Sequence, residues 1–192
     1  AWQQKGKKPV YAVDGGVYCA GSALDWAGKL GLFSNLESIN HFDNKPAINR
    51  GLAFVPAFAG LGSPYWDRSA AGLWIGLSLE HQSADLIQAI LEGIALRTAE
   101  VVDALNKLTP IRRISIDGGL SRNLYFTAFL ADVLGHTVVI PPFEELTAYG
   151  CALLASDGRW TASLKNGQYI SPSGEDMGEL RQRYAEAVRR SV

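Results

Sequence analysis

Cysteine, histidine and methionine are scarce in this sequence of 192 residues, which has two cysteines, three histidines and one methionine. Cys19 and Cys151 each lack a second cysteine nearby, so the sequence does not support a disulfide framework, a CxxC redox pair or a zinc knuckle. His41, His81 and His136 lie far apart without metal-ligand spacing, and we assign them no role. We predict no metal site in this chain, two inert thiols buried in apolar helical surroundings, and a reducing compartment, the cytoplasm.

An excess of charge of either sign is also missing. Eighteen lysines and arginines are balanced by nineteen aspartates and glutamates, and 47% of the residues are hydrophobic. These values do not fit the basic surface of a nucleic-acid binder or the composition of a disordered chain. No apolar run approaches the roughly 18 residues of a membrane span, and the N-terminus lacks the pattern of a signal peptide. We therefore predict a soluble globular protein that neither binds nucleic acid nor crosses a membrane.

The length of the chain is compatible with one compact domain. A chain of this size buries about 70% of the surface that it exposes when unfolded, so it needs no disulfide or metal for stability. The first residue is Ala1 rather than a methionine, and a β-rich run begins within the first ten residues. We therefore predict a single domain over residues 1–192 that is a piece of a longer protein.

The sequence alternates between β-rich runs and segments of helical periodicity. Strands are predicted over residues 9–13, 52–58, 73–77, 113–117 and 137–140. Helices are predicted over residues 17–30, 83–107, 124–134, 145–156 and 176–190, the longest with Ser83 as its N-cap residue. Residues 34–51 are predicted to be a surface excursion with one short helix, and residues 158–175 a loop. This alternation predicts an α/β protein with a mixed sheet and flanking helices.

The predicted helix over residues 145–156, which ends at Gly158, is rich in small residues. These are Ala148, Gly150, Ala152 and Ala155. Small side chains let a helix backbone approach a neighbouring element closely, as helices beside a nucleotide pocket often do. We therefore expect this helix to pack tightly on another element.

The most informative stretch is the β-rich run that stops at Asp117 and is followed by Gly118, Gly119 and a helix. The order of strand, glycine pair and helix is the one in which α/β proteins direct backbone N–H groups at a phosphate. Ser121 and Asn123 add a hydroxyl and an amide near the start of that helix. A tight turn in which glycine supplies a positive φ explains the same pattern, and the two interpretations stay open at this point.

Two other patterns have weaker implications. Residues 13–16 repeat the sequence of residues 116–119 with one conservative change, which suggests two related strand–turn–helix units. Residues 60–67 form a long turn with exposed aromatic residues. The favoured interpretation of this turn is an Ω-loop whose aromatic side chains pack under the sheet.

Taken together, the motifs resemble those of a known family. They are residues 11–16, 20–26, 55–67, 71–72, 94–95, 116–123 and 146–150. They resemble the motifs of the C-terminal, nucleotide-binding domain of the FGGY carbohydrate kinases. The similarity covers about residues 9–160, and the motifs follow one another in unbroken order. The most specific of them is Gly60-Leu-Gly-Ser-Pro-Tyr-Trp-Asp67, and it resembles most the members that phosphorylate glycerol.

The resemblance implies an actin-like, ribonuclease-H-like ATPase domain that forms one wall of a cleft, with ATP or ADP and Mg²⁺ bound there. It carries the family's nucleotide contacts over to Gly21, Asp25, Gly118, Gly119 and Asn123. Asp25 stands where the family commonly has glutamine, and an ionised carboxylate can only accept hydrogen bonds, so any contact that it makes differs from that of an amide.

The resemblance also implies that part of the machinery precedes residue 1. The sugar-binding domain, the aspartate that acts as the base and the first two strands of the core sheet belong there. We therefore expect no catalytic residue in this chain, an exposed sheet edge around residues 10–14, and no phosphorylation by this chain without the rest. Assembly into a homo-oligomer is left open.

Our leading hypothesis is that this chain is the nucleotide-binding domain of an ATP-dependent polyol kinase that converts glycerol and ATP to glycerol 3-phosphate and ADP. One alternative is a kinase for another small polyol or a ketose, of the xylulose or erythritol type. Another is a non-catalytic module that keeps the actin-like fold and its nucleotide site for regulation or assembly.

Overall fold

The computed structural model describes residues 1–3, 5–142, 145–156 and 166–192. Its helices are α1 (Ala20–Lys29), α2 (Ser83–Leu108), α3 (Leu124–Leu134), α4 (Leu146–Ala155) and α5 (Gly178–Arg189). Its strands are β1 (Ala53–Val55), β2 (Leu73–Ile75), β3 (Ile114–Ser115), β4 (Val138–Ile140) and β5 (Gln168–Ile170). Three short 3₁₀ helices cover Leu36–Ile39, Ala47–Arg50 and Gly119–Arg122.

The strands form two small sheets. Strands β1 and β2 pair antiparallel, with Ala53 opposite Ile75. The second sheet has the order β3-β4-β5, in which β3 and β4 are parallel and β4 and β5 antiparallel. The parallel pair is joined through α3, as a strand–helix–strand crossover requires. The predicted mixed sheet is therefore present, and β5 is an additional strand inside the stretch predicted as a loop.

Helix α2 is the centre of the fold. Every residue from Ile87 to Arg97 is buried, so this part of the helix is enclosed on all sides by the rest of the fold. At Gly93 a Cβ would lie 2.1 Å from the carbonyl oxygen of Phe54, so the absence of a side chain lets β1 cross the helix in direct contact. The helix begins with a capping box between Gln82 and Asp85, one residue before the predicted N-cap Ser83.

The predicted strand over residues 9–13 is wrong. Only an isolated bridge between Trp2 and Val10 forms there, and Val10, Tyr11 and Val13 are 58%, 78% and 55% exposed. Residues with strand propensity form a strand only when a neighbouring strand pairs with them. The first of the two predicted strand–turn–helix units therefore consists of α1 alone, and the exposed edge expected around residues 10–14 is an exposed apolar segment.

The expectations for α4 and for the cysteines are also wrong. No residue of α4 is buried, so its small residues have no close neighbour among the described residues. Cys151, on this helix, is exposed, and Cys19 is half-buried before α1 with a φ of 66°. Small apolar residues indicate that close packing is allowed, but they do not identify the partner. The predicted helix end at Gly158 lies outside the described residues.

The excursion predicted over residues 34–51 contains two 3₁₀ helices, and the second is fixed by a buried carboxylate of α2. Glu92 accepts hydrogen bonds from the N–H groups of Ala47 (2.8 Å) and Ile48 (3.0 Å) and from the hydroxyl of Tyr125 on α3 (2.6 Å). Burial raises the pKa of Glu92 to about 7, although these three donors favour the ionised form. One side chain thus connects the excursion to two helices.

We predict that stability falls as the pH rises from about 5 to 8. The pKa of Glu92 is about 7 in the folded chain and near 4.5 when unfolded, so the folded state holds a proton that the unfolded state has released. The contribution of this proton to the free energy of unfolding is complete below the pKa that Glu92 has in the unfolded chain. It is lost as the pH rises through the pKa that Glu92 has in the folded chain, a change of up to about 3 kcal/mol. Urea unfolding at a series of pH values measures this dependence.

Glu92→Gln removes the titration and should flatten the curve. It should also lower stability by about 1–3 kcal/mol at pH 5, because the amide NH₂ faces N–H donors. Glu175→Gln, at an exposed site, is the control and should keep the wild-type pH dependence. An E92Q curve with the wild-type slope would show that Glu92 does not cause the dependence.

Candidate functional site

A cavity of about 630 Å³ lies where α1, the Leu36–Ile39 turn and the Gly119–Arg122 turn meet. Its size is within the range of small-molecule sites. The residues that line it are Gly21, Leu24, Asp25, Leu36, Glu37, Ile39, Asn40, Asp117, Gly119, Leu120, Arg122 and Asn123. The cavity therefore combines aliphatic side chains with carboxylates, amides and two glycines.

Four of the five residues predicted to contact a nucleotide line this cavity. Gly21 and Asp25 come from α1, and Gly119 and Asn123 come from the segment between β3 and α3. Gly118 is not among the lining residues. It has a φ of +83° and lets the chain turn after Asp117, so its place in the structure is conformational. The two groups are far apart in the sequence, and the fold brings them to one cavity.

The turn after β3 leaves backbone N–H groups unused. Ser121 donates to the carbonyl oxygen of Gly118 from both its N–H (3.0 Å) and its hydroxyl (2.7 Å), which closes the turn. The N–H groups of Gly119 and Leu120 have no acceptor within the part of the chain that the structure describes. Adjacent unpaired N–H groups in a turn form a binding site for an anion. The tight turn is therefore present and is what exposes the N–H groups, while phosphate binding by the glycine pair stays a prediction.

The two lining glycines are not required by the surrounding protein. A Cβ at Gly21 or Gly119 would meet no atom within 4 Å, and neither residue has a positive φ. Gly93 is the opposite case, since β1 occupies the space that a side chain would need there. The space beside Gly21 and Gly119 is therefore free for a ligand.

Asn123 has a structural role that the sequence did not predict. Its Oδ1 accepts a hydrogen bond from the N–H of Phe126 (2.7 Å), which caps α3, and its Nδ2 donates to the carbonyl oxygen of Ile39 (2.8 Å). The residue is buried. Asn40 caps the same helix from the other side, because its Oδ1 accepts from the N–H of Leu124 (3.0 Å). These bonds hold the Leu36–Ile39 turn against α3 and so build one wall of the cavity.

That wall is the part of the site that sequence reasoning missed. The turn formers of residues 34–51 indicated an exposed loop with little chemistry, yet Leu36, Glu37, Ile39 and Asn40 line the cavity. In the sequence, only the asparagines on either side of the turn indicated a short helix here, because asparagine often caps helices. That signal does not identify α3 as the partner of Asn40.

The charges of the cavity fit a ligand that brings its own cation. Asp25, Glu37 and Asp117 are exposed carboxylates, and Arg122 is the one cationic side chain among the lining residues, so acidic groups are in excess. No group of three or more metal-ligating side chains occurs in the described ranges, so these residues do not form a metal site by themselves. Mg²⁺ bound with a nucleotide takes most of its ligands from phosphates and water. The residues present fit that mode of binding, in which the protein holds the phosphates and the phosphates hold the ion.

The turn over residues 60–67 lies outside the cavity, and its predicted packing is wrong. Arg97, which is 1% exposed, donates to the carbonyl oxygen of Ser63 (2.7 Å), forms an ion pair with Glu100 and lies 5.0 Å from the ring centre of Tyr65. Trp66 is 68% exposed. The aromatic side chains therefore do not pack under a sheet, because the buried cation fixes the turn from inside and directs them outward.

Comparison with known proteins bears on the identity of the chain. The sequence profile of the FGGY family of carbohydrate kinases, C-terminal domain, matches residues 2–157. The chain belongs to this family. The resemblance stated from the motifs is thereby confirmed.

Curated relatives are glycerol kinases. The enzyme of Thermococcus gammatolerans is 38% identical over 156 residues, which are 81% of this chain and 31% of the relative. Glycerol kinase 2 of Thermotoga maritima is 37% identical over an alignment of 205 positions that covers 100% of this chain and 41% of the relative. This FGGY chain therefore spans between about a third and two-fifths of the length of these relatives.

Solved structures agree in the fold. Plasmodium falciparum glycerol kinase with ADP superposes with a TM-score of 0.73 at 25% identity, over 90% of this chain and 37% of that one. The xylulose kinase of Rhodospirillum rubrum superposes with a TM-score of 0.64 at 25% identity, over 88% of this chain and 37% of that one. The predicted actin-like, ribonuclease-H-like α/β fold is confirmed. Among the described helices, none is both long enough and apolar enough to span a membrane.

We predict that Asn123→Ala lowers the free energy of unfolding by about 1–2 kcal/mol, because α3 loses its cap and the carbonyl of Ile39 loses a donor. Urea unfolding followed by circular dichroism measures the change. Asn49→Ala is the matched control, since Asn49 is exposed and its side chain makes no hydrogen bond with the described residues. Equal stability of the two variants would contradict the structural role of Asn123.

Proposed function

We propose that this chain forms the nucleotide-binding wall of an ATP-dependent kinase that transfers the γ-phosphoryl group of ATP to glycerol. The observation that carries the proposal is the cavity in which Gly21 and Gly119 meet with open space beside both. The similarity to a glycerol kinase structure with ADP supports a nucleotide as the ligand. ADP or ATP enters with Mg²⁺ bound to its phosphates.

The N–H groups of Gly119 and Leu120 bind phosphate oxygens of the nucleotide. A phosphate oxygen is a strong acceptor, and backbone donors need no rearrangement before they bind it. Phosphoryl transfer depends mainly on positioning and on stabilisation of charge. These donors hold the phosphates in place and stabilise their negative charge. The absence of a Cβ at residue 119 keeps the approach to the turn open.

The remaining lining residues suit the nucleoside. Leu24, Leu36 and Ile39 offer aliphatic contacts to a planar base. Asp25, as an ionised carboxylate, accepts hydrogen bonds from ribose hydroxyls, which a carboxylate can do in pairs. The base that takes the proton of the substrate hydroxyl is expected outside this chain, in the sugar-binding domain that would form the other wall of the cleft. The cytoplasm is our proposed compartment, as expected for two unpaired cysteines.

Glycerol is the proposed substrate because the relatives at 35–39% identity are glycerol kinases. A kinase of another small polyol or a ketose remains the second candidate, since similar folds occur in xylulose kinases. A panel of glycerol, erythritol and xylulose with the full-length protein distinguishes them. Transfer of phosphate to none of these substrates would favour the non-catalytic module.

Two glycine variants test the nucleotide site without disturbing the fold. Gly21→Ala and Gly119→Val place a side chain where the structure has open space, so both should fold. Each should weaken binding of ADP with Mg²⁺ about tenfold or more, because the new side chain occupies the ligand's space. Isothermal titration calorimetry on the 192-residue chain measures the affinity.

Gly150→Ala is the matched control for Gly21→Ala. Both glycines lie inside helices with no neighbour near the added Cβ, so each substitution should stabilise the chain by about 0.5–1 kcal/mol. Only Gly21→Ala should reduce ADP binding, since Gly150 does not line the cavity. Absence of binding by the unmodified chain, or equal affinities of all three variants and the wild type, would refute the proposed site.

A further inference from the structure

Asn40 carries a donor group that the fold leaves unused. It follows the Leu36–Ile39 turn and lines the cavity. Its Oδ1 accepts the N–H of Leu124 at 3.0 Å, and only the oxygen of the amide can do so, which fixes the orientation of the side chain. Its Nδ2 donates to no atom of the residues that the structure describes. The NH₂ group is therefore held in one orientation with both hydrogens available.

The backbone around Asn40 is fixed as well. The carbonyl of Ile39 accepts the Nδ2 hydrogen bond of Asn123 at 2.8 Å, and the side chain of Ile39 is buried. On the other side, the ring of Phe42 packs edge-on against Tyr125 with 4.8 Å between ring centres. A donor held on both sides in this way loses little freedom when it binds a ligand.

The neighbours of Asn40 indicate which part of a nucleotide it meets. Leu36 and Ile39 are the aliphatic side chains of the same wall, and such side chains suit a base rather than phosphates. The unpaired N–H groups that suit phosphates belong to the turn at Gly119 and Leu120. Asp25, Glu37 and Asp117 can only accept hydrogen bonds when ionised, whereas the neutral NH₂ group of Asn40 donates them. Asn40 therefore suits an acceptor atom of the ligand. Asparagine pairs with adenine through two hydrogen bonds, to N7 and from the 6-amino group.

We infer that Asn40 is a specificity-determining residue of this cavity, which donates from Nδ2 to N7 of adenine and accepts the 6-amino group with the second lone pair of Oδ1. The inference rests on the proposed function, since it requires an adenine nucleotide in the cavity. Guanine presents a carbonyl oxygen in place of the amino group, so it would face Oδ1 with two acceptors opposed. The site therefore favours adenine over guanine.

The test compares Asn40→Asp with Asn35→Asp in the 192-residue chain. Aspartate at position 40 keeps an acceptor for the N–H of Leu124 at the start of α3 but removes the donor. Asn35 is the matched control, because its side chain also accepts a backbone N–H, that of Ser38 at 2.9 Å, and it does not line the cavity. Both variants add one negative charge to the same turn, so the control corrects for the charge.

Three ligands are titrated with Mg²⁺ present: ADP, 7-deaza-ADP, which lacks N7, and GDP. We expect Asn40→Asp to weaken ADP binding about tenfold and Asn35→Asp to change it by less than about twofold. The wild type should bind 7-deaza-ADP and GDP about tenfold more weakly than ADP. Asn40→Asp should bind 7-deaza-ADP at least as tightly as ADP, because the donor to N7 is gone and a carboxylate oxygen faces N7 in its place. The side-chain NH₂ signals of Asn40 in nitrogen-15 NMR spectra should shift when ADP is added.

The outcomes separate this inference from the proposed function. If the wild type binds ADP and both variants bind it equally well, the role of Asn40 is refuted and the nucleotide site stands. If the wild type does not bind ADP, both are refuted. If Asn40→Asp does not fold, the comparison of ADP with 7-deaza-ADP on the wild type decides, and equal affinities for the two would overturn the inference.

Discussion

The buried carboxyl group of Glu92 is the interaction that ties the excursion over residues 34–51 to the core. It receives two backbone N–H groups of the Ala47–Arg50 turn and the hydroxyl of Tyr125, and so fixes the excursion between α1 and β1 on the two helices behind it. Without it, two N–H groups at the start of that turn would be buried without an acceptor, which is costly. The wall made by the preceding turn is held by the same two helices. A group inside the core thus anchors the turn that follows the cavity wall in the sequence.

Local sequence signals predicted the elements whose causes are local. The glycine pair after Asp117 and the periodicity of α2 and α3 correctly indicated where the chain turns and where helices lie. All five predicted nucleotide contacts followed from the resemblance, and four of them line the cavity. The predictions that failed depend on partners distant in the sequence. Among the described residues, the segment over residues 9–13 has strand propensity but no strand to pair with, and α4 has small residues but none that is buried.

The wall from Leu36 to Asn40 could not be predicted for the same reason. Its position depends on hydrogen bonds that Asn40 and Ile39 accept from Leu124 and Asn123, more than 80 residues further along the chain. A sequence of turn formers gives no information about such pairings, since it is equally suited to a solvated loop. The roles of Asn123 illustrate this, because the residue was expected to contact the ligand and also holds the wall that the ligand would meet.

The exposed segment from Val10 to Val13 has a consequence for how this polypeptide behaves in concentrated solution. It presents large apolar side chains to solvent, and β3, at the end of its sheet, has no paired strand on the side away from β4 among the described residues. Such edges pair readily with strands of other molecules. Light scattering should therefore show reversible self-association that grows with protein concentration, and a lysine in place of Tyr11 should suppress it by placing a charge in the growing contact.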